Sequence, residues 1–183
     1  MTETEVKICW PEGRGDPRPA LEYFGYSETA PRVLEANQLF DREGSELRNS
    51  DRILRLRQSG DRSIITYKGP AAPRDRYKSR EEIEFGVSDP GNVLLVLERL
   101  GFAPGFRYEK FRTTFAAAGE AGVILLDETP MGVYLELEGE AYWIDATAKR
   151  LGFHPSDYIT ASYAALYREF RSTHPSASEN MVF

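Results

Sequence analysis

An early segment of the chain places two acids and a base where they could hold a metal ion and an anion together. Its sequence is Glu3-Thr4-Glu5-Val6-Lys7. Side chains alternate between the two faces of a β-strand, so Glu3, Glu5 and Lys7 share one face. Carboxylate oxygens are the ligands that Mg²⁺ and Mn²⁺ prefer, and an ammonium group binds anions. The segment therefore indicates a site for a metal-bound anion and not an apolar core.

The same alternation recurs along later segments with strand composition. Most place charged side chains on one face and apolar side chains on the other. An arginine binds phosphate oxygens through two parallel hydrogen bonds, and paired carboxylates bind hard divalent cations. The basic members are Arg55, Arg57, Lys68, Arg80, Lys110 and Arg112, and the acidic members are Glu82, Glu84, Asp127, Glu136 and Glu138.

Two interpretations of these charged faces are open at this point. They could be the solvated faces of an antiparallel sheet that is covered on one side only. Alternatively, an eight-stranded sheet can close into a barrel whose interior holds a small ligand. The concentration of arginine and glutamate in pairs of the same sign favours the second interpretation, because solvated faces usually carry scattered polar residues. A closed barrel would then hold a metal-bound polyphosphate.

Periodicity and turn residues predict twelve elements. We expect an α+β fold in which eight antiparallel strands form a barrel, with helices packed outside. The segment 69–79 is rich in Pro and Arg and predicts a loop, and residues 172–183 predict a loose tail after one domain over 1–171. The strands are expected at 3–9, 32–41, 51–58, 63–69, 80–87, 105–115, 121–127 and 132–139, and the helices at 17–25, 90–100, 140–151 and 156–170.

The composition is typical of one globular domain without disulfides or membrane-spanning helices. A chain of 183 residues with a net charge of −6 suits one domain that is not a non-specific nucleic-acid binder. The single Cys9 excludes an internal disulfide, so a reducing cytoplasm is the expected location. No apolar run reaches the roughly 18 residues that a membrane-spanning helix needs. We also expect no signal peptide, because the first residues have strand character.

The order of the charged motifs resembles that of the CYTH superfamily, the triphosphate tunnel enzymes. Glu3-x-Glu5-x-Lys7 matches the signature of that superfamily, and the later motifs follow in the expected order over residues 1–170. Near the C-terminus, Tyr158-Ile159-x-x-Ser162-Tyr163-x-x-Leu166 is similar to the class IV adenylyl cyclase branch. The later motifs are Leu54 to Arg57, Ile65 to Gly69, Arg80 to Glu84, Lys110 to Arg112, Asp127 and Glu136 to Glu138.

The resemblance implies an eight-stranded tunnel and assigns a role to each charged position. Glu82 and Glu84 would bind metal, position the bases or orient water, and Arg80 would bind phosphate or pair with those acids. The triphosphate-binding set is Lys7, Arg55, Arg57, Lys68, Arg80, Lys110 and Arg112. The metal set, for Mg²⁺ or Mn²⁺, is Glu3, Glu5, Asp127, Glu136 and Glu138. The catalytic set is Glu3, Glu5, Lys7, Glu82 and Glu84.

The resemblance leaves the reaction open. It implies either hydrolysis of a triphosphate or cyclisation of ATP to cyclic AMP and pyrophosphate, and the substrate could be ATP, inorganic triphosphate or thiamine triphosphate. A polyphosphate-binding module without activity is the alternative, and the negative net charge disfavours an RNA substrate. The family often places an aspartate and a tyrosine at 37–41, where this chain has Asn-Gln-Leu-Phe-Asp. The resemblance also leaves the oligomeric state open, and a homodimer is one alternative.

Overall fold

The strands of this protein close on themselves. A computed structural model describes residues 2–72 and 76–183. Around the barrel the strands follow the order β1-β5-β4-β3-β2-β6-β7-β8, all neighbours are antiparallel, and β8 pairs with β1 to complete the circle. The strands are β1 (Thr2–Cys9), β2 (Ser27–Asp41), β3 (Ile53–Ser59), β4 (Arg62–Lys68), β5 (Lys78–Val87), β6 (Ala103–Ala116), β7 (Val123–Thr129) and β8 (Gly132–Glu138).

Helices cover the outside of the barrel. The predicted fold class, α+β with an eight-stranded antiparallel barrel and helices outside, is confirmed. None of the described helices has both the length and the apolar character needed to span a bilayer. The helices are α1 (Arg18–Tyr23), α2 (Glu46–Asn49), α3 (Pro90–Arg99), α4 (Ala141–Arg150) and α5 (Tyr163–Thr173).

One face of β1 packs against the helices and the other points into the barrel, which explains why apolar and charged residues alternate along it. Val6 and Ile8 point outward and are fully buried in a core that includes Ile144 of α4 and Leu21 of α1. Because side chains alternate along the strand, Lys7 points into the barrel, where it is also buried. The apolar face therefore fixes β1 against the helices and holds its charged face toward the interior.

The ring of Trp143 in α4 packs directly against the backbone of Gly122. Its side chain is buried, and its Nε1 donates a hydrogen bond of 2.6 Å to Glu120. A Cβ built on Gly122 would lie 2.3 Å from the Trp143 ring, well inside van der Waals contact. Only glycine therefore fits at position 122.

We expect Gly122→Ala to lower the free energy of unfolding by about 1–3 kcal/mol, the usual cost of overpacking a core. The matched control is Gly86→Ala, because a Cβ at Gly86 in β5 would meet nothing within 4 Å. Urea denaturation of the three proteins measures both effects. Equal midpoints for Gly122→Ala and the parent protein would contradict the argument.

The prediction for residues 156–170 is wrong in its first half. The α-helix begins only at Tyr163, after Ser162, whose side chain accepts a hydrogen bond from the backbone N–H of Ala165. Ile159 instead pairs with Lys7 through two backbone hydrogen bonds of 2.8 and 2.9 Å. β5 pairs with β1 only as far as Glu5, so the chain around Ile159 satisfies the backbone of β1 beyond that point.

The tail is not loose at its end. Met181 is fully buried and pairs with β6, where its backbone exchanges hydrogen bonds with Arg107 and Glu109. The Phe183 ring packs against Phe111 at a centroid distance of 5.1 Å. The expectation that residues 172–183 would be loose is therefore wrong for this end of the chain, because two apolar residues find partners on the barrel.

The predicted loop at 69–79 is shorter than expected. Lys78 and Ser79 belong to β5, and Ala72 already pairs with Ser79. Residues 73–75 of the loop lie outside the described part of the chain. The change matters because it moves Lys78 from a solvated loop to the barrel wall.

Candidate active site

The inward faces of the strands line one large cavity of about 1770 Å³. Gly105 and Thr114, at opposite ends of β6, both line it, so the cavity extends along most of the strand. Every residue of the predicted triphosphate-binding set lies on its wall. Of the predicted metal and catalytic residues, all except Asp127 do so: Glu3, Glu5, Lys7, Glu82, Glu84, Glu136 and Glu138.

Lys7 lies between two carboxylates. Its Nζ is 3.1 Å from Glu5 Oε1 and 3.0 Å from Glu136 Oε1, and its side chain is 4% exposed. Burial alone would lower the pKa of this ammonium, but Glu136 and Glu5 raise it above its usual value. Lys7 is therefore charged in the absence of any ligand, and its charge is matched by acids.

Three carboxylates converge beside Lys7 and could hold a metal ion. Glu5, Glu136 and Glu138 each present an oxygen within 4.8 Å of the other two. Burial raises the pKa of Glu138 to about 8, and the nearby Glu3, Glu136 and Glu5 add to this effect against the opposing influence of Arg112. A hard divalent cation fits three convergent carboxylates and relieves their mutual repulsion. The donor set therefore suits Mg²⁺ or Mn²⁺.

Asp127 is fully buried and lies behind the cavity wall. Its two oxygens accept hydrogen bonds of 2.7 Å from Lys110, from Arg112 at two nitrogens, and from the hydroxyl of Tyr163. The Tyr163 ring also lies beneath the Lys110 ammonium, 4.9 Å from it. This arrangement fixes both bases in position and leaves Asp127 with its oxygens already in use.

A second group of ion pairs lines the opposite part of the wall. Lys68 lies 2.6 Å from Glu82 and 3.2 Å from Glu3. Arg55 lies 3.6 Å from Glu84 and 3.8 Å from Glu82, and it donates a hydrogen bond to the hydroxyl of Thr66. Glu82 and Glu84 therefore contact the bases directly, which is one of the roles expected for them.

Arg80 is anchored at one end of the cavity. Its Nη2 lies 3.1 Å from both carboxylate oxygens of Asp51, while its Nε and Nη1 are buried and have no hydrogen-bond partner among the described residues. The Asp51 backbone adopts a left-handed conformation, with φ of 51°. Arg80 thus retains unused donors that an anionic ligand would satisfy.

Comparison with known proteins agrees with this geometry. Residues 1–154 match the CYTH domain family. The chain belongs to this family. A Methanocaldococcus jannaschii protein that is provisionally named as an adenylate cyclase is 32% identical over 139 residues, which cover 75% of this chain and 77% of that one.

Solved structures share the fold of this CYTH protein. A Pyrococcus horikoshii protein superposes with a TM-score of 0.77 at 22% identity, covering 92% of this chain and 99% of that one. A provisionally named adenylyl cyclase from Hippeastrum, described as having a dominant triphosphatase activity, superposes with a TM-score of 0.68 at 18% identity. The overlap covers 92% of this chain and 96% of that one.

Sequence reasoning missed two buried residues of this CYTH site, Glu35 and Tyr163, and placed Lys78 in a loop. Lys78 lines the cavity, and its nearest carboxylate is Glu5 at 4.0 Å. Glu35 lies on β2 among the bases, and Tyr163 enters the site from α5. Alternation within the predicted strand 32–41 could have identified Glu35, because Glu35 is the acid on the same face as Asn37. No local signal in the sequence indicates that Tyr163 would reach Asp127.

Among the described residues, each base that a strand contributes to the wall of the CYTH barrel has an acidic partner. Each basic side chain that the strands place on the cavity wall lies within 4.0 Å of a carboxylate. Apart from the unused donors of Arg80 and the Nε of Arg55, an anion can therefore bind these bases only by competing with acids. The bases in question are Lys7, Arg55, Arg57, Lys68, Lys78, Arg80, Lys110 and Arg112.

Proposed function

We propose that this CYTH protein is a metal-dependent enzyme that hydrolyses a triphosphate to diphosphate and phosphate. The observation that carries the proposal is the pairing of every inward base with an acid, next to three convergent carboxylates. When a triphosphate binds together with divalent cations, the ion pairs between the acids and bases of the cavity wall are replaced by pairs with the ligand. Its oxygens take the bases, and its cations take the carboxylates that those bases release.

The arginine and lysine side chains would contact the phosphate chain in different ways. Asp127 holds the Nε–Nη2 side of the Arg112 guanidinium. The Nη1–Nη2 end is left for two phosphate oxygens once Glu136 releases Nη2. Lys7 and Lys110 add fixed positive charges that would stabilise the negative charge as it develops on the leaving group. These side chains are already oriented before substrate binds, so little reorganisation is needed at the moment of reaction.

Glu5, Glu136 and Glu138 would hold the cation. When bound, it supplies Lewis-acid stabilisation of charge on the phosphoryl oxygens. The remaining acids have different tasks. Glu3 and Glu82 hold Lys68 between them, and Glu84 holds Arg55, so these two bases are directed into the cavity. The triphosphatase activity described for the Hippeastrum protein supports hydrolysis as the reaction.

Cyclisation of ATP is the second candidate, and the name of the Methanocaldococcus relative favours it. In that reaction the ribose 3′-hydroxyl attacks the α-phosphate and pyrophosphate leaves. Such a substrate needs room for a nucleoside beside the phosphates. Leu39, Phe40, Ile53 and Phe106 line one end of the cavity with apolar surface that a base would contact.

The test is a product-resolved assay. The purified protein is incubated with inorganic triphosphate and, separately, with ATP, each in Mg²⁺, Mn²⁺ or EDTA. Release of phosphate that depends on the metal is the expected result. Cyclic AMP with pyrophosphate as the main products from ATP would overturn hydrolysis in favour of the cyclase. Binding without turnover in every condition would identify a binding module and overturn both reactions.

A further inference from the structure

Glu35 is a carboxylate placed inside a cluster of bases that should bind phosphate. It is 5% exposed, and its Oε1 lies 3.1 Å from Arg57 Nη1. Its Oε2 lies 3.8 Å from Lys110 Nζ and 3.9 Å from Arg112 Nε, and it has no hydrogen-bond partner among the described residues. A phosphate oxygen held by the same three bases would meet Glu35 directly.

The charge on Glu35 is permanent. Burial would raise the pKa of its carboxyl group, but Arg112, Lys110, Arg57 and Arg55 together lower it to about 2. The group is therefore ionised at neutral pH. It also lies outside the set of convergent carboxylates that could hold a metal, so its charge is directed at bases.

A second contact shows how the structure holds this acid. Arg57 donates from Nε to Asn37 Oδ1 at 2.9 Å and from Nη1 to Glu35. Glu35 and Asn37 lie on the same face of β2 and bind the two sides of one guanidinium. In the absence of substrate, protein groups thus take two of the five N–H donors of Arg57, and a phosphate that approaches from this side must compete for them.

We propose that Glu35 is a specificity-determining residue, a built-in counter-ion that competes with phosphate for Arg57, Lys110 and Arg112. This inference rests on the proposed function, because it assumes that a triphosphate binds these bases. A metal-free polyphosphate brings only negative charge and is repelled by Glu35. A polyphosphate that carries divalent cations brings less net charge and binds. After hydrolysis, the shorter products make fewer contacts, and Glu35 recovers its bases as they leave.

The experiment is isothermal titration calorimetry with inorganic triphosphate in EDTA and with diphosphate in EDTA. In Mg²⁺, where triphosphate is turned over, KM from phosphate release gives the apparent affinity. We expect Glu35→Gln to bind the two metal-free anions about 10-fold or more tightly than the parent protein does, because a nearby like charge is gone. The affinity for triphosphate in Mg²⁺ should change less. Removing an acid would thus improve anion binding, which a merely structural residue would not do.

Two variants control for charge and for location. Glu35→Asp keeps the negative charge and should keep metal-free binding weak. Glu128→Gln removes an acid that pairs with Arg18 and Arg32 outside the cavity, and it should leave all three affinities unchanged. Thermal unfolding confirms that each variant is folded. If Glu35→Gln does not fold, Glu35→Ser, which is neutral and leaves space for water, replaces it in the same titrations.

The outcomes separate this inference from the function on which it rests. Failure of the parent protein to bind triphosphate in Mg²⁺ would overturn the proposed function. If the parent protein binds triphosphate in Mg²⁺ but Glu35→Gln shows no gain in metal-free affinity, only the proposed role of Glu35 as a counter-ion is overturned. The parent protein supplies a test without any variant, because equal affinity for triphosphate in EDTA and in Mg²⁺ would also overturn it.

Discussion

Glu138→Gln is expected to abolish metal-dependent turnover of inorganic triphosphate and to leave the protein folded. Glu138 contributes one of the three convergent carboxylates, and it forms no ion pair with any described residue. Replacing its carboxyl group therefore removes an oxygen ligand that a bound cation would hold deprotonated, and it leaves no buried base unmatched. We expect kcat/KM to fall at least ~100-fold, since a bound cation supplies several kcal/mol of transition-state stabilisation.

The measurement is the rate of phosphate release at increasing Mn²⁺ concentration, together with the midpoint of thermal unfolding. Glu5→Gln should show a similar loss of activity, but it removes a partner of both Lys7 and Lys78 and so changes the stability as well. Glu128→Gln on the outer wall is the control and should keep normal activity. Full activity in Glu138→Gln would show that the convergent carboxylates are not the cation site.

The charged faces could be predicted from the sequence because alternation along a strand is a local property. Glu3, Glu5 and Lys7 had to share a face once the segment was assigned as a strand. Val6 and Ile8 on the other face required a second buried layer, which the helices supply. The same argument applied to most later strands, so spacing predicted which bases share a face. That this face points inward depends on closure of the barrel, which alternation alone left open.

Contacts between distant segments could not be predicted in this way. Ile159 lies next to Lys7 because β5 leaves part of β1 unpaired, and this depends on where β5 begins. Met181 is buried because β6 extends far enough to receive it. Helical spacing over residues 156–170 was therefore misleading at its start, since tertiary pairing determined the backbone of Ile159.

The roles of individual acids also depended on register. Asp127 and Glu136 both occupy inward positions on neighbouring strands, and the sequence assigned both to metal. In the structure Asp127 is fully buried with its oxygens used by protein donors, whereas Glu136 lines the cavity. Spacing alone does not separate a metal ligand from an acid that orients bases, and this difference can be measured.

Asp127→Asn is expected to destabilise the protein strongly and to leave the cation site able to bind metal. The carboxylate holds Lys110, Arg112 and Tyr163 through hydrogen bonds of 2.7 Å in a site with no solvent exposure. Breaking such a buried network by removing one charged partner typically costs about 3–5 kcal/mol. The bases would also lose their fixed orientation, so KM for triphosphate should rise.

Urea denaturation gives the loss of stability, and titration with Mn²⁺ in the absence of substrate gives the metal affinity. The matched comparison is Glu138→Gln, for which the pattern should be reversed: stability is kept and metal affinity is lost. The contrast follows from the contacts, because Asp127 is surrounded by donors and Glu138 by other carboxylates. Loss of Mn²⁺ binding in a folded Asp127→Asn protein would return Asp127 to the metal set and contradict its role as an anchor for the bases.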